Sequence, residues 1–198
     1  MRTGLLTPKR QLKKFVAQKN EWIVKILEKQ AVQQSEQPQL IQGGQIYYLG
    51  TPHILRLEKG SSREAIIDEP SSTITFHSRS ENMEKLVSEW LKIEAEKHLV
   101  PLTKSLAGQL GVKELLKEIR FRKTRSKWGH CSRAGVIQYN WQIMQAPEQI
   151  IHYLASHEAS HLVQMNHSRQ FWETVASLDP DYKRHRKWLR DNQHRLYF

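Results

Sequence analysis

The sequence HEASH at residues 157–161, with a further histidine at position 167, decides the fold of this 198-residue chain. Side chains four residues apart share one face of an α-helix, so the rings of His157 and His161 can point at a single ion. Glu158 then lies close to that ion without binding it. Three histidine ligands leave a fourth position for water, which is typical of catalytic zinc sites and not of structural ones.

The same residues predict a hydrolytic mechanism. Zinc lowers the pKa of its bound water from about 16 to about 7, and a neighbouring carboxylate can take the proton. We therefore expect one Zn²⁺ per chain, held by His157, His161 and His167, with Glu158 as the catalytic base. Two alternatives stay open: His167 caps the following helix while an acid or a water completes the shell, or the histidines are ordinary core residues of an amphipathic helix.

The residues around this stretch predict the helices that carry it. Pro147 suits the first turn of a helix, and Glu148 complements the positive end of the helix dipole. Asn166 tolerates the left-handed conformation that ends helices, so we expect this helix to stop near residues 165–166. Ser168 is then the predicted N-cap of the next helix.

An alternating segment precedes the predicted helix. Ile137, Tyr139, Trp141 and Ile143 alternate with polar residues, which predicts a half-buried strand. A turn at residues 134–135 is expected to join it to an earlier strand near residues 119–126. A strand in this place can form the wall of a cleft, and its free edge can pair with an extended peptide.

Residues 128–189 contain the motifs W-G-x-C-S, a strand ending in N-W, H-E-x-x-H-L, M-N-H-S-x-x-F-W and P-D-Y-K. This series of motifs resembles that of the YgjP-like metal-dependent hydrolases, which are zincins related to the SprT-like metallopeptidases. The matching residues are Trp128, Gly129, Cys131, Ser132, Asn140, Trp141, Pro147, Tyr153, His157, Glu158, His161, Leu162, Asn166, His167, Ser168, Phe171, Trp172, Pro180, Asp181, Tyr182, Lys183, Trp188 and Leu189. The resemblance covers residues 80–198 strongly and the preceding part loosely.

This resemblance implies a compact zincin fold, three histidine ligands and a glutamate base. Two positions depart from the family pattern. His130 stands where the family has a small serine, and Ala159 replaces a bulky apolar residue. The smaller side chain at position 159 can leave a packing gap or make room for a neighbour.

Four further residues are candidates for substrate binding. His130 is expected in the cleft, and Asn140 is the asparagine of the N-W motif. Tyr182 and Arg125 can stabilise the negative charge that hydrolysis develops opposite the metal, although the simpler interpretation is that Tyr182 packs and Arg125 is solvated. Cys131 is expected to be a small buried residue, because a His–Cys pair added to three histidines would close the site.

The rest of the chain predicts an α+β fold. A helix is expected over residues 9–33, short antiparallel strands near residues 45–50, 54–57, 64–68 and 73–77, and helices over residues 81–98 and 102–110. We therefore expect an N-terminal helix and small β region over residues 1–80. A zincin-like catalytic domain, with a small antiparallel sheet and the active-site helix, is expected over residues 81–198.

Charge and composition narrow the possible partners and location. The formal net charge of +11 favours anionic partners such as nucleic acid or nucleotides, or else belongs to a solvated surface. A single cysteine argues against internal disulfides and favours a reducing compartment. Without a signal-like start or a run of about 20 apolar residues, we expect a cytoplasmic protein that makes no membrane contact.

These observations lead to one leading function and two alternatives. The leading prediction is a zinc metallopeptidase that acts on peptide or protein substrates through a Glu-activated, zinc-bound water. The alternatives are a metal-dependent nucleotide hydrolase that cleaves a phosphoanhydride at the same site, and a DNA-associated, SprT-like protease that acts on DNA-bound proteins. A purely structural zinc module is disfavoured, because three ligands and a glutamate suit a closed site poorly.

Overall fold

The computed structural model describes residues 15–61 and 65–198 of the chain. The chain divides into two compact units, residues 1–37 and residues 38–198. The first unit contains helix α1 (Asn20–Ser35), as the sequence predicts, whereas the expected helical residues 9–14 lie outside the described ranges. None of the helices within these ranges is both long enough and apolar enough to span a bilayer.

The second unit contains two small sheets, of which the first has the strand order β1-β2-β4-β3. Its strands are β1 (Gln45–Tyr48), β2 (Thr51–Glu58), β3 (Ile66–Asp68) and β4 (Thr73–His77). The expectation of purely antiparallel pairing is wrong here, because β2 and β4 run parallel with Leu55 opposite Ile74. This register buries both side chains fully on the core face, and β3 completes the sheet on the outer side of β4.

The second sheet has the order β5-β7-β6, with β5 (Glu118–Arg122), β6 (Gly129–Cys131) and β7 (Val136–Asn140). The sequence predicts that β7 forms a hairpin with the strand near residues 119–126, but its antiparallel neighbour is β6 and β5 lies parallel to it. The tight turn ending at Gly135, which has a φ of 75°, can only join adjacent antiparallel strands. The sheet is therefore mixed, and the predicted antiparallel arrangement holds for β6 and β7 alone.

Strand β7 ends at Asn140, earlier than the alternating pattern predicts. The Asn140 Oδ1 atom accepts a hydrogen bond from Gln142 N at 3.0 Å, which starts a 3₁₀ turn over Trp141–Gln145. Trp141 and Ile143 are nevertheless buried. The alternating apolar pattern thus predicts correctly that these residues are buried, but it does not show where the strand ends.

Helix α2 (Met83–Gln109) is continuous where the sequence predicts two helices. Pro101 lies inside it, although proline lacks an N–H group and usually interrupts a helix. Leu99 and Leu106, on either side of this proline, are buried in the core. We attribute the continuity to this burial, which offsets the local cost of the proline.

Three helices complete the second unit: α3 (Glu148–Ser160), α4 (Arg169–Leu178) and α5 (Tyr182–Asn192). Helix α3 packs against α2, α4, α5 and strand β6, so it lies at the centre of this unit. Residues 38–198 therefore form the predicted α+β fold of small sheets and several helices. The predicted division of the chain between residues 80 and 81 stays a prediction.

Candidate active site

The last turn of α3 places the first two histidines. The helix ends at Ser160 and not near residues 165–166, because His161 N and Leu162 N bond to the carbonyls three residues earlier at 3.2 and 3.0 Å. Such bonds tighten the end of a helix. The rings of His157 and His161 remain neighbours, with centroids 5.0 Å apart.

His167 completes a cluster of three imidazoles. Each of the three histidines offers a nitrogen, and these atoms all lie within 4.8 Å of one another. The Nε2 atoms of His157 and His167 are 3.2 Å apart, and nitrogens bound to one tetrahedral zinc ion lie about 3.3 Å apart. The donor set and its spacing therefore fit a tetrahedral metal ion.

Neighbouring groups orient two of these rings. His161 Nδ1 lies 3.0 Å from the carbonyl oxygen of Gln164, so a proton on Nδ1 leaves Nε2 as the free electron pair for a metal. The exposed ring of His167 stacks on Trp172 with centroids 5.7 Å apart. The Ser168 hydroxyl accepts a hydrogen bond from Phe171 N, which confirms the predicted N-cap of α4.

The surroundings of His157 and His161 favour the neutral form of both rings. Burial lowers the pKa of His157 from 6.5 to about 3, and positive charge on His161, His167 and Arg186 acts in the same direction. Burial also lowers the pKa of His161, against the opposing effect of its hydrogen bond to Gln164. Neutral imidazole is the form that binds metals.

The carboxylate of Glu158 is buried against the backbone of Gly129. A Cβ atom on Gly129 would overlap Glu158 Oε1 and lie 2.6 Å from Glu158 Cδ. Burial raises the pKa of Glu158 from 4.5 to about 8, and the nearby charge of Lys127 opposes this. A cation held by the triad would oppose it too. Strand β6 thus forms the wall against which the predicted base lies.

The residue after Glu158 is fully buried. Ala159 has no exposed surface and belongs to the hydrophobic core that surrounds α3. Cys131, on the same side of β6 as Gly129, is also buried, as predicted. Neither side chain belongs to the histidine cluster.

The structure brings two of the predicted substrate-binding residues close to the triad. His130 is exposed on β6, and its positive charge lowers the pKa of His161, although less than burial does. Tyr182 stacks on Trp172 with centroids 5.3 Å apart, so one ring separates it from His167. Their roles in substrate binding stay predictions.

Of the other two predicted residues, Arg125 lies in the segment between β5 and β6, and Asn140 is the last residue of β7. Asn140 donates a hydrogen bond from Nδ2 to Thr124 O at 2.9 Å, and its Oδ1 accepts from Gln142 N. The buried amide thus holds this segment and has both ends engaged by backbone groups. Arg125 is exposed in the same segment. Their contact with substrate also stays a prediction.

Sequence reasoning missed two cations beside the site. The positive charge of Lys127 opposes the rise in the pKa of Glu158, and the positive charge of Arg186 helps to lower the pKa of His157. Lys127 directly precedes the W-G motif, so its position was a usable signal. Arg186 lies on α5, and only the packing of α5 against α3 brings it to the site.

Comparison with known proteins gives a family. The model of the family "YgjP-like, metallopeptidase domain" matches residues 2–192, which is almost the whole chain. None of the curated proteins matches. Among solved structures, the metallopeptidase zymogen abylysin of Pyrococcus abyssi is similar, with 22% identity and a TM-score of 0.45, over 50% of this chain and 99% of that one. That structural likeness is too low to support an argument about function. On the family match, this chain is a metal-dependent hydrolase that belongs to the YgjP-like metallopeptidases.

Proposed function

We propose that this protein is a zinc metallopeptidase in which His157, His161 and His167 hold one ion and Glu158 transfers protons. The observation that carries the proposal is the convergence of three imidazole nitrogens, within 4.8 Å of one another, next to a buried carboxylate. An all-histidine donor set suits zinc, and three protein ligands leave a position for water or substrate.

The residues divide the work of hydrolysis. When bound, zinc supplies Lewis acidity and lowers the pKa of a water molecule. Glu158 takes a proton from the attacking water and passes it to the amine that leaves. Gly129 leaves space for the Glu158 carboxylate, and burial of that carboxylate keeps bulk water away from the proton it carries.

The outer edge of β6 is suited to a peptide. Trp128 O accepts a hydrogen bond from Asn140 N, and Ser132 N donates one to Val136 O. The backbone groups of Trp128 and Ser132, at the two ends of β6, therefore face β7. Because hydrogen bonds alternate along an antiparallel strand, the peptide groups of Gly129 and Cys131 face the other way. Within the described residues β6 is an edge strand, and an extended substrate can add to it beside Glu158.

The family favours peptide bonds over the phosphoanhydride bond of a nucleotide hydrolase. A nucleotide hydrolase and a DNA-associated protease would use the same metal site, and both were suggested by the net charge of +11. The histidine cluster by itself does not separate these chemistries. A nucleoside triphosphate therefore belongs in the first assay as a comparison.

The first experiment compares zinc-loaded wild type with Glu158→Gln on an unfolded protein and on ATP, with products identified by mass spectrometry. We expect both proteins to hold about one zinc per chain and only the wild type to cleave peptide bonds, because Glu158 is not a ligand. Release of phosphate in place of peptides would support the nucleotide hydrolase.

The metal assignment is checked separately with His157→Ala and His152→Ala. Both substitutions remove a histidine from α3, but His152 lies outside the cluster. We expect zinc to be lost from the first variant and retained by the second. Unchanged zinc content in His157→Ala would contradict the assignment.

A further inference from the structure

A depression of about 220 Å³ lies beside the proposed metal site, between the start of β6 and helices α3 and α5. Its lining residues are Trp128, Tyr153, Arg186, Leu189, Arg190 and Gln193. The ring of Tyr153 is 6.0 Å from that of His157, and Trp128 directly precedes Gly129, whose backbone touches Glu158. The depression is therefore bordered by neighbours of both a proposed ligand and the proposed base.

Among the cations that line this depression, Arg186 is connected to the histidine cluster through the ring of Trp172. Its guanidinium carbon lies 4.6 Å from the centre of the Trp172 ring, and that ring is 5.7 Å from the rings of both His157 and His167. An aromatic ring attracts a guanidinium without accepting hydrogen bonds from all of its five N–H groups, so N–H groups remain available for an anion.

Arg186 also differs from the other arginines of α5 in its partners. Arg184 pairs with Asp181 at 3.1 Å, and Arg190 pairs with Asp191 at 3.1 Å. Within the described ranges, Arg186 has no carboxylate within 4.0 Å, and its side chain is exposed. A carboxylate that enters the depression can therefore bind Arg186 without displacing an internal partner.

The walls of the depression are suited to the apolar methylene groups that carry such a carboxylate in a side chain. Trp128 is buried and stacks on Tyr197 with centroids 4.4 Å apart, so this wall is held in place. Tyr153 and Leu189 form further apolar surface, and both are buried. A small, mostly apolar recess with a few well-placed polar or charged groups is the usual form of a ligand site.

We propose that this depression is a substrate subsite in which Arg186 binds a carboxylate of the peptide, supplied by an acidic side chain or by the C-terminus. This inference rests on the metallopeptidase function proposed above. Arg190 strengthens the positive field at the rim, and the aromatic walls take the methylene groups of the bound residue.

Binding to zinc-loaded Glu158→Gln tests the subsite without turnover. The probes are three heptapeptide pools that carry an uncharged BODIPY label and uncharged flanking residues: central Glu with an amidated C-terminus, central Gln with an amidated C-terminus, and central Gln with a free C-terminus. We expect one of the two carboxylate pools to bind about tenfold more tightly than the pool without a carboxylate, by fluorescence anisotropy. That pool identifies the source of the carboxylate.

The same pools are then measured on Arg186→Gln and Arg184→Gln, each in the Glu158→Gln background. The two substitutions remove the same charge from the same helix, but Arg184 does not line the depression. We expect the preference to fall below about twofold only without Arg186, and Arg186→Lys to retain part of it, since lysine keeps the charge and loses the planar fork. Circular dichroism checks that each variant is folded.

Equal binding of all three pools, or a preference that survives in Arg186→Gln, would overturn the subsite. Wild-type enzyme incubated with the same pools tests the proposed function independently. Absence of cleavage together with a carboxylate preference in binding would count against the peptidase and leave the subsite standing. Cleavage without any carboxylate preference in binding would support the peptidase and overturn the subsite.

Discussion

At the scale of single residues, Gly129 decides where the proposed base can lie. The residue adopts an ordinary strand conformation, so its role is spatial: any Cβ atom at this position meets the Glu158 carboxyl group. The W-G motif drew attention to this position in the sequence. Only the packing of β6 on α3 explains why a glycine is needed there.

Substitution of Gly129 by alanine should therefore displace Glu158. We expect kcat to fall by about 100-fold while zinc content is retained, because small displacements of a catalytic group cost about this much. Gly108→Ala is the matched control, since nothing lies within 4 Å of its Cβ position. Equal kcat in wild type and Gly129→Ala would show that Glu158 is not confined by this contact.

The thiol of Cys131 should react slowly in the folded protein. Burial raises the pKa of Cys131 from 9.0 to about 11, and the Glu158 carboxylate adds to the effect. At pH 8 the thiolate then makes up only about a thousandth of the thiol. We expect Ellman's reagent to modify the folded chain at least about 100-fold more slowly than the urea-unfolded chain. Similar rates would place Cys131 at the surface.

At the scale of elements, the end of α3 and the start of α4 determine the geometry of the proposed metal site. Helix α3 stops one residue before His161, and Ser168 starts α4 just after His167. The histidines thus stand on a helix, at its C-cap and in the following loop. His167, the proposed ligand in the loop, stacks on the ring of Trp172, whereas His161 lies within hydrogen-bond distance of a backbone carbonyl.

Loss of the stacking ring should weaken metal binding. We expect Trp172→Leu to reduce zinc affinity by about tenfold in a competition with a fluorescent chelator, because groups that orient metal ligands typically contribute this much. Trp172→Phe keeps a ring against His167 and should retain most of the affinity. An unchanged affinity in Trp172→Leu would mean that His167 is oriented by other contacts.

At the scale of the whole molecule, the proposed ion links parts of residues 38–198 that are separate in the sequence. Helix α3, which carries His157, packs against α2, α4, α5 and β6, and His167 lies between α3 and α4. A ligand that binds only the folded state stabilises that state by mass action. Metal content should therefore affect the stability of this unit.

Removal of zinc should lower the melting temperature. At a free zinc concentration of about 100 times Kd, binding adds about 2.7 kcal/mol, which corresponds to roughly 5–10 °C for a chain of this size. Scanning calorimetry with and without a chelator measures the shift. Glu158→Gln should show the same shift and His167→Ala a much smaller one. A shift that persists in His167→Ala would argue against that ligand.

The sequence by itself determined the features that depend on local spacing. Helical periodicity aligned His157 with His161, Ser168 marked the start of α4, and alternation marked the buried residues around β7. The motifs along residues 128–189 also pointed to the family that the match over residues 2–192 then established. These properties depend on residues that are close together in the chain, so they can be predicted from local sequence patterns.

The tertiary structure alone decided which segments meet. It made β6 the antiparallel partner of β7 and carried α2 through Pro101. It also set Gly129 against Glu158 and brought Arg186 to His157. Strand partners and contacts between distant residues follow from the joint burial of several elements. No short stretch of sequence contains that information, because the free energy of packing belongs to the assembled core.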